Sequence, residues 1–380
     1  MTEPRPLGLY IHIPFCRCKC AYCDFYSLPH AEEQMDAYLA ALSRELRRYA
    51  PRAADYTVGT VYFGGGTPTI FGAERLTQLL ALIRREYPVA PGAEITLEGN
   101  PESARDVSAL RLLREAGFDR FSLGVQATDD DMLRRLGRVH SFADVRAAVS
   151  AIRDAGFRNL SLDLMYALPG QTLADWEKTL ADAIALVPEH LSCYALKLEE
   201  GTPFYQRRAA LALPDDDTQA ELYLAAVRIL AQAGYPQYEI SNFARPAFPS
   251  RHNLRYWQLS EYLGFGPGAH SDFQGVRFGV RRDLAAYLAG EPQLSESSVI
   301  SPAERAVEYL MLGLRTVHGV SAEEFEGRYG RSFAAAEQAL RRCAAAGYAL
   351  REGERWHLTP EGFFVSNAVI SLVLEAVFPA

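Results

Sequence analysis

Between residues 9 and 195, short apolar runs alternate with amphipathic stretches six times, and this alternation restricts the fold more than any other feature. The runs at 9–13, 60–63, 94–97, 120–125, 159–165 and 190–195 have the length and apolar character of buried strands. Residues 31–50, 73–85, 107–116, 142–155 and 173–186 carry helical spacing. In the first of these, Met35, Tyr38, Leu39, Leu42, Leu46 and Tyr49 form one stripe. Strands separated by helices run parallel and are joined by right-handed crossovers. The expected fold is therefore α/β, a partial (β/α)6 barrel of TIM-like type, with its chemistry at the C-terminal ends of the strands.

The first strand end carries the densest chemistry. Residues 10–27 read YIHIPFCRCKCAYCDFYS, so Cys16, Cys18, Cys20 and Cys23 lie within eight positions of a chain that holds six cysteines. Thiols this close, in a chain with no mark of secretion, are ligands or redox groups more often than disulfides. Cys16-x3-Cys20-x2-Cys23 offers three thiolates, one for each of three irons of a cubic [4Fe–4S] cluster. The fourth iron is left open, and an open metal position is where chemistry occurs. Zinc held by all four sulfurs is the rival, although zinc sites usually pair C-x2-C units about a dozen residues apart.

LYIHIPFCxxKCxYCDF resembles the cluster loop of the radical SAM superfamily, in its oxygen-independent coproporphyrinogen III oxidase-like branch. The resemblance implies a barrel of radical SAM type in which Cys16, Cys20 and Cys23 bind [4Fe–4S]. It further implies that S-adenosylmethionine (SAM) closes the fourth iron, with Cys18 a bystander. GGGTP at 64–68 follows the second strand, where glycines let a ligand approach the backbone closely. Glu98 follows the third strand and Gln126 the fourth, and Asp163 lies on the fifth. These place a carboxylate, an amide and a carboxylate in one mouth, groups suited to ribose hydroxyls and a sulfonium-bearing chain. Carried onto matching positions, the resemblance implies SAM contacts from Tyr10, Tyr22, Gly65, Gly66, Thr67, Glu98, Gln126, Arg138, Asp163 and Ala195. The match extends from residue 7 to about 271.

Bulk properties are those of a globular protein: 49% hydrophobic and 23% charged residues over 380 positions, enough for one large domain and a smaller one. No apolar run reaches the roughly 18 residues of a membrane span. The N-terminus lacks the apolar core and cleavage site of a secretory signal. A cytoplasmic setting is expected, with peripheral contact at the membrane. The net charge of −8 argues against a nucleic-acid partner.

Beyond residue 200, a helix is expected over 215–233 and extended chain over 237–243. Residues 252–257, HNLRYW, resemble the HNxxYW motif of the HemW haem chaperones of this branch. That resemblance makes His252 the expected haem ligand, with Tyr256 and Trp257 offering flat apolar faces. His270, in GPGAHS, is the spare candidate. Ser301-Pro-Ala-Glu304 opens a C-terminal part with helices over 302–314, 322–329 and 333–346, a hairpin near 352–353, and a last helix over 360–378. Three helices and a wing resemble a winged-helix module. Its would-be reading helix offers only Arg341 and Arg342, so an accessory packing role is expected for 296–380, with 1–295 forming the barrel domain. Cys193 and Cys343 read as small buried hydrophobes.

Two functions fit. One is a chaperone that holds [4Fe–4S], SAM and haem and passes haem to apo-haemoproteins, served by an electron donor, with a homodimer suggested by the family. The other is the coproporphyrinogen III dehydrogenase, in which a SAM-derived radical drives oxidative decarboxylation of propionates to vinyl groups. The dehydrogenases carry a fourth cysteine two residues after the third, where this chain has Phe25. They also carry a long segment before the loop, where fifteen residues precede Cys16 here. With HNLRYW, these features favour the chaperone, which leaves the assignment as an enzyme open.

Overall fold

The computed structural model describes residues 4–290 and 294–379. Six strands, β1 (Arg5–Ile13), β2 (Tyr56–Gly65), β3 (Val89–Gly99), β4 (Arg120–Gln126), β5 (Asn159–Tyr166) and β6 (His190–Ala195), lie side by side in sequence order and parallel. Helices Met35–Tyr49, Ala73–Glu86, Val107–Ala116, Phe142–Asp154 and Leu173–Ala185 connect them. Capping boxes at Ser141 and Thr172 start the last two of these helices. The expected α/β layout holds; the first five strands extend past the expected runs and β6 coincides with its own.

The sheet continues beyond the six units on both sides. Past β6 come the short antiparallel strands β7 (Gln237–Glu239) and β8 (Asn242–Ala244), with β8 next to β6. Past β1 come β9 (Tyr262–Phe265), parallel to β1, and then β10 (His270–Phe273), β11 (Val276–Val280) and β12 (Leu294–Val299), all antiparallel. Among the described residues, hydrogen bonding leaves the sheet open between β12 and β7. Helix Arg251–Trp257 and the C-terminal helix Pro302–Gly313 bring side chains into the gap between the two flanks. The domain boundary expected between 295 and 296 falls inside β12, which pairs along β11. The expected domains also include residues 1–3, 291–293 and 380, which lie outside the described residues.

Strand periodicity sorts the side chains into two cores. Outward-facing Leu9, Ile11, Val61, Phe63, Leu97, Phe121, Leu123, Leu162 and Leu164 are fully buried under the helices. Inward-facing Thr60, Thr96, Arg120, Ser161 and His190 are just as buried and polar. Most barrels of this type fill the interior with branched apolar residues. Here the interior is polar and only partly hydrogen-bonded: Thr60, Ser161 and His190 have partners, whereas among the described residues none reaches Thr96 Oγ1 or Arg120 Nε. Ser161 and Tyr238 hold the two nitrogens of His190 at 2.8 Å each.

The C-terminal helices Pro302–Gly313, Ala322–Tyr329 and Ala334–Ala345 pack around a three-stranded sheet of Val320–Ser321, Arg355–Leu358 and Ala349–Glu352. The expected last helix is interrupted at Val365, giving Pro360–Phe364 and Ser366–Val377. Arg305 and Arg277 bind Asp272 and Glu308, which ties Pro302–Gly313 to β10 and β11. Among the described residues, no helix is long and apolar enough to cross a membrane.

Candidate functional site

The cysteine loop is fixed to the barrel by backbone bonds from the glycine loop. Gly66 N–H donates to the Ile13 carbonyl at 2.9 Å, and Thr67 N–H to the Phe15 carbonyl at 2.7 Å. Side chains are excluded at these positions. A Cβ on Gly66 would stand 2.6 Å from the Phe15 oxygen, and one on Gly65 2.5 Å from the His12 ring. Gly65 also has φ = 110°, which favours glycine.

All four thiols of the loop are free and half-buried. Burial pushes the thiols of Cys16 and Cys23 upward in pKa, and thiolate formation there needs compensating donors. Two are in place. Thr67 Oγ1 lies 3.4 Å from Cys16 Sγ, and Arg138 Nη1 donates to Cys20 Sγ at 3.4 Å. Burial works against the Arg138 guanidinium, but Tyr22, Cys20 and Glu102 more than reverse this and keep it charged. Among the described residues, no three of His, Cys, Asp or Glu converge on a point as ligands of a single ion would.

Sequence reasoning missed Asn100. Its Nδ2 donates to Thr67 Oγ1 at 3.0 Å, and its Oδ1 accepts from Arg138 Nη2 at 2.7 Å. It therefore joins the two residues that touch cluster-loop sulfurs. Its place directly after Glu98-Gly99 was the available signal, but nothing in the spacing says which way an amide points.

The remaining expected residues lie on the parallel strands or in the cysteine loop. Tyr10 bonds His12 Nδ1 at 3.1 Å and stacks on Tyr62. Glu98 accepts from the Tyr62 hydroxyl at 2.6 Å and from Gly65 N–H at 3.2 Å. Burial raises the Glu98 carboxyl to about 7, against the lowering effect of the Tyr62 bond. Asp163 is also raised by burial and accepts from Ser122 at 3.0 Å. Gln126 sits past a register shift in β4 with φ = 69°, an uncommon left-handed conformation for a side-chain-bearing residue. Tyr22 packs at the edge of a second apolar cluster around Met132, Leu133 and Phe204. Ala195 ends β6, exposed and paired with Tyr166.

His252 stands elsewhere. It is 1% exposed and lies on the barrel floor beside Thr60, five residues before Gly65 on β2, or ~17 Å of strand. Its Nδ1 is 2.8 Å from Thr60 Oγ1 and its Nε2 2.8 Å from the Tyr256 hydroxyl. Its N–H donates to Glu94, and its ring stacks on Tyr62. Burial holds the ring neutral, with a pKa lowered to about 3. Neither nitrogen is open to iron in this arrangement, because each is already hydrogen-bonded to a hydroxyl. Tyr256 and Trp257, from the same motif, do line a cavity of about 590 Å³ in the gap between the sheet flanks, together with Tyr194, Tyr262 and Met311.

Comparison with known proteins agrees with this layout. Residues 10–183 match the Radical SAM superfamily and residues 300–365 the HemN C-terminal domain. The heme chaperone HemW of Bacillus subtilis is 37% identical over 376 residues, covering 96% of this chain and 98% of the relative. Those of Haemophilus influenzae and Escherichia coli are 35% and 34% identical, covering 98% of this chain each and 99% and 100% of the relatives. The solved structure of coproporphyrinogen III oxidase (HemN) from Escherichia coli, a radical SAM enzyme, superposes with a TM-score of 0.84. It covers 97% of this chain and 90% of its own at 24% identity, so the likeness is one of fold. The chain belongs to the radical SAM superfamily and, within it, to the family of HemW haem chaperones.

Proposed function

We propose that this chain takes up haem and passes it to apo-haemoproteins, and that it does so as a [4Fe–4S] protein that binds SAM. The observation that carries the reading is the aromatic cavity in the gap between the sheet flanks. At about 590 Å³ it falls within the roughly 300–1,000 Å³ range of small-ligand sites, and Tyr194, Tyr256, Trp257 and Tyr262 give it the flat apolar walls a macrocycle needs.

The donor set at the mouth fits the implied cofactors. Cys16, Cys20 and Cys23 would hold three irons, with Thr67 and Arg138 donating to sulfur, while Cys18 stays outside the set. When bound, the cluster would present an open iron to SAM and supply an electron. The N–H groups of Gly65, Gly66 and Thr67 are already bonded to Glu98, Ile13 and Phe15. What this loop can still offer is acceptor oxygen, which suits the SAM ammonium. Arg138 would pair with the SAM carboxylate, Glu98 and Asp163 would accept from ribose hydroxyls, and Tyr10, Tyr22, Gln126 and Ala195 would complete the walls. An electron donor, a homodimeric state and a cytoplasmic setting with membrane contact during delivery belong to the same reading and rest on the family resemblance.

The test is anaerobic. Reconstituted protein is expected to carry about one [4Fe–4S] per chain, to bind haem, and to transfer it to a haem-free cytochrome. Incubation with coproporphyrinogen III, SAM and reductant is expected to leave the substrate unchanged. Formation of protoporphyrinogen IX would replace this reading with that of the dehydrogenase. Phe25 stands against that outcome: it is 68% exposed where the dehydrogenases carry their fourth cysteine.

A further inference from the structure

We infer that His270, with its ring set by Glu296, supplies the nitrogen that ligates haem iron. The inference rests on the haem-uptake reading and names the residue by which uptake occurs. His252 has both ring nitrogens bonded to hydroxyls on the barrel floor. His270 is in the opposite condition. Its side chain is 50% exposed, and its Nδ1 lies 3.1 Å from Glu296 Oε1 on β12. Among the described residues no hydrogen bond or ion pair engages its Nε2. A metal-binding histidine characteristically gives its second ring nitrogen to a carboxylate, which fixes the tautomer and aims the other nitrogen at the metal.

Register places this imidazole on the strand face that borders the same cavity, one repeat beyond its lining. Tyr262 pairs with Asp272 and Asp272 with Arg277, and all three line it. His270 lies two residues from Asp272 on β10 and pairs with Gly279 on β11, so it shares that face one strand repeat, ~7 Å, nearer the mouth. The positions beside it are glycines. A Cβ on Gly279 would stand 3.0 Å from the His270 ring, and one on Gly264 would run into the His270 carbonyl. The imidazole therefore has only small neighbours on this face, the two glycines, Ala269 and Ser295, besides the Glu296 carboxylate. Tyr262 faces Asp272 one repeat away and, with Trp257, lines the cavity.

The reconstituted full chain is titrated with ferric haem, and the Soret band and the electron paramagnetic resonance signal of the axial ligand are recorded after subtraction of the cluster spectrum. His270→Ala is expected to lose the histidine-ligated signature and to bind haem at least tenfold more weakly, with free imidazole restoring the signature. Glu296→Gln keeps the ligand and is expected to weaken binding about 10-fold or more. His252→Gln is expected to retain the parent Soret position. If His270→Ala and Glu296→Gln both bind like the parent, the assignment is overturned while haem uptake stands. If the parent chain itself gives no Soret shift, the uptake reading falls and takes this assignment with it.

Discussion

Asn100 Nδ2 donates to Thr67 Oγ1 over 3.0 Å, and this bond closes a chain between two sulfurs of the cysteine loop. Arg138 has only donors, so its 2.7 Å bond to Asn100 fixes the amide with oxygen toward the guanidinium and nitrogen toward Thr67. Thr67 accepts from Asn100, which leaves its own hydrogen for Cys16 Sγ at 3.4 Å. Arg138 meanwhile reaches Cys20 Sγ. Hydrogen bonds to cluster sulfurs are among the factors that set reduction potential. Asn100→Asp would reverse the chain, since a carboxylate accepts from Thr67 and takes its hydrogen from Cys16. The variant is expected to keep its iron and to shift the cluster midpoint downward by on the order of 60 mV, one decade for a one-electron couple. A potentiometric titration followed by electron paramagnetic resonance checks this, and an unchanged midpoint would remove Asn100 from the site.

The glycine loop gives a stability contrast. Gly66→Ala sets a Cβ 2.6 Å from the Phe15 backbone oxygen and 2.8 Å from that of Ile13. Neither atom can swing aside, so the cysteine loop must move. The variant is expected to lose roughly 1–3 kcal/mol, in the range of large single-site effects, and to retain much less iron after reconstitution. Gly92→Ala is the control. That position has positive φ, at 74°, which Gly66 does not, and nothing lies within 4 Å of its Cβ, so only the backbone penalty applies and iron content should not change. Iron analysis and thermal melts of the two variants separate the effects.

How much of this was legible in the sequence differs from element to element. The six parallel strands were, because a strand buried on both faces and a helical stripe such as Met35–Leu42–Leu46 leave unlike periodicities. The cysteine loop was, because thiol spacing is a local property. The polar interior was less visible: in RFSLGVQ and NLSLDLMY the alternation is present, but nothing local says whether Ser122 and Asp163 face solvent or a sealed network. The position of His252 depended on helix Arg251–Trp257 docking beneath β2 and β3, a contact spanning 192 positions between Thr60 and His252. Such long-range pairing is set by topology and leaves no mark in the motif itself. The direction of the Asn100 amide was hidden for the same reason, since Arg138 lies 38 residues away.

Cysteine variants test the ligand assignment. Cys16 and Cys20 each have a hydrogen-bond donor at sulfur distance, from Thr67 and Arg138. Cys23 has the Phe25 backbone as donor, whereas among the described residues no hydrogen bond reaches Cys18. Cys16→Ser, Cys20→Ser and Cys23→Ser are each expected to abolish the brown chromophore, while Cys18→Ser keeps iron and acid-labile sulfide at the parent level. Equal iron loss in Cys18→Ser would make it a ligand. Protein that carries zinc and no sulfide would restore the four-sulfur alternative.

Glu98 is expected to make stability depend on pH and, through the proposed ribose contact, SAM binding as well. Its carboxyl titrates near 7 in the folded chain and near the ordinary 4.5 when unfolded, chiefly because burial disfavours the charge. Between those values the folded state binds more protons than the unfolded one, so this group's contribution to stability falls as pH rises from about 4.5 to 7. Below that window it has no effect, and above it the full penalty, on the order of 3 kcal/mol, is present. Asp163, also raised by burial, acts in the same direction. Denaturant melts without SAM are therefore expected to show lower stability at pH 8 than at pH 5.5, and Glu98→Gln should flatten much of that slope. SAM acts in the opposite sense, because ribose hydroxyls need the ionised carboxylate as acceptor. Its Kd should tighten between pH 6 and 7.5, with proton release on binding measurable by titration calorimetry in buffers of different ionisation enthalpy. If Glu98→Gln shows the same proton release as the parent, the titrating group is not Glu98.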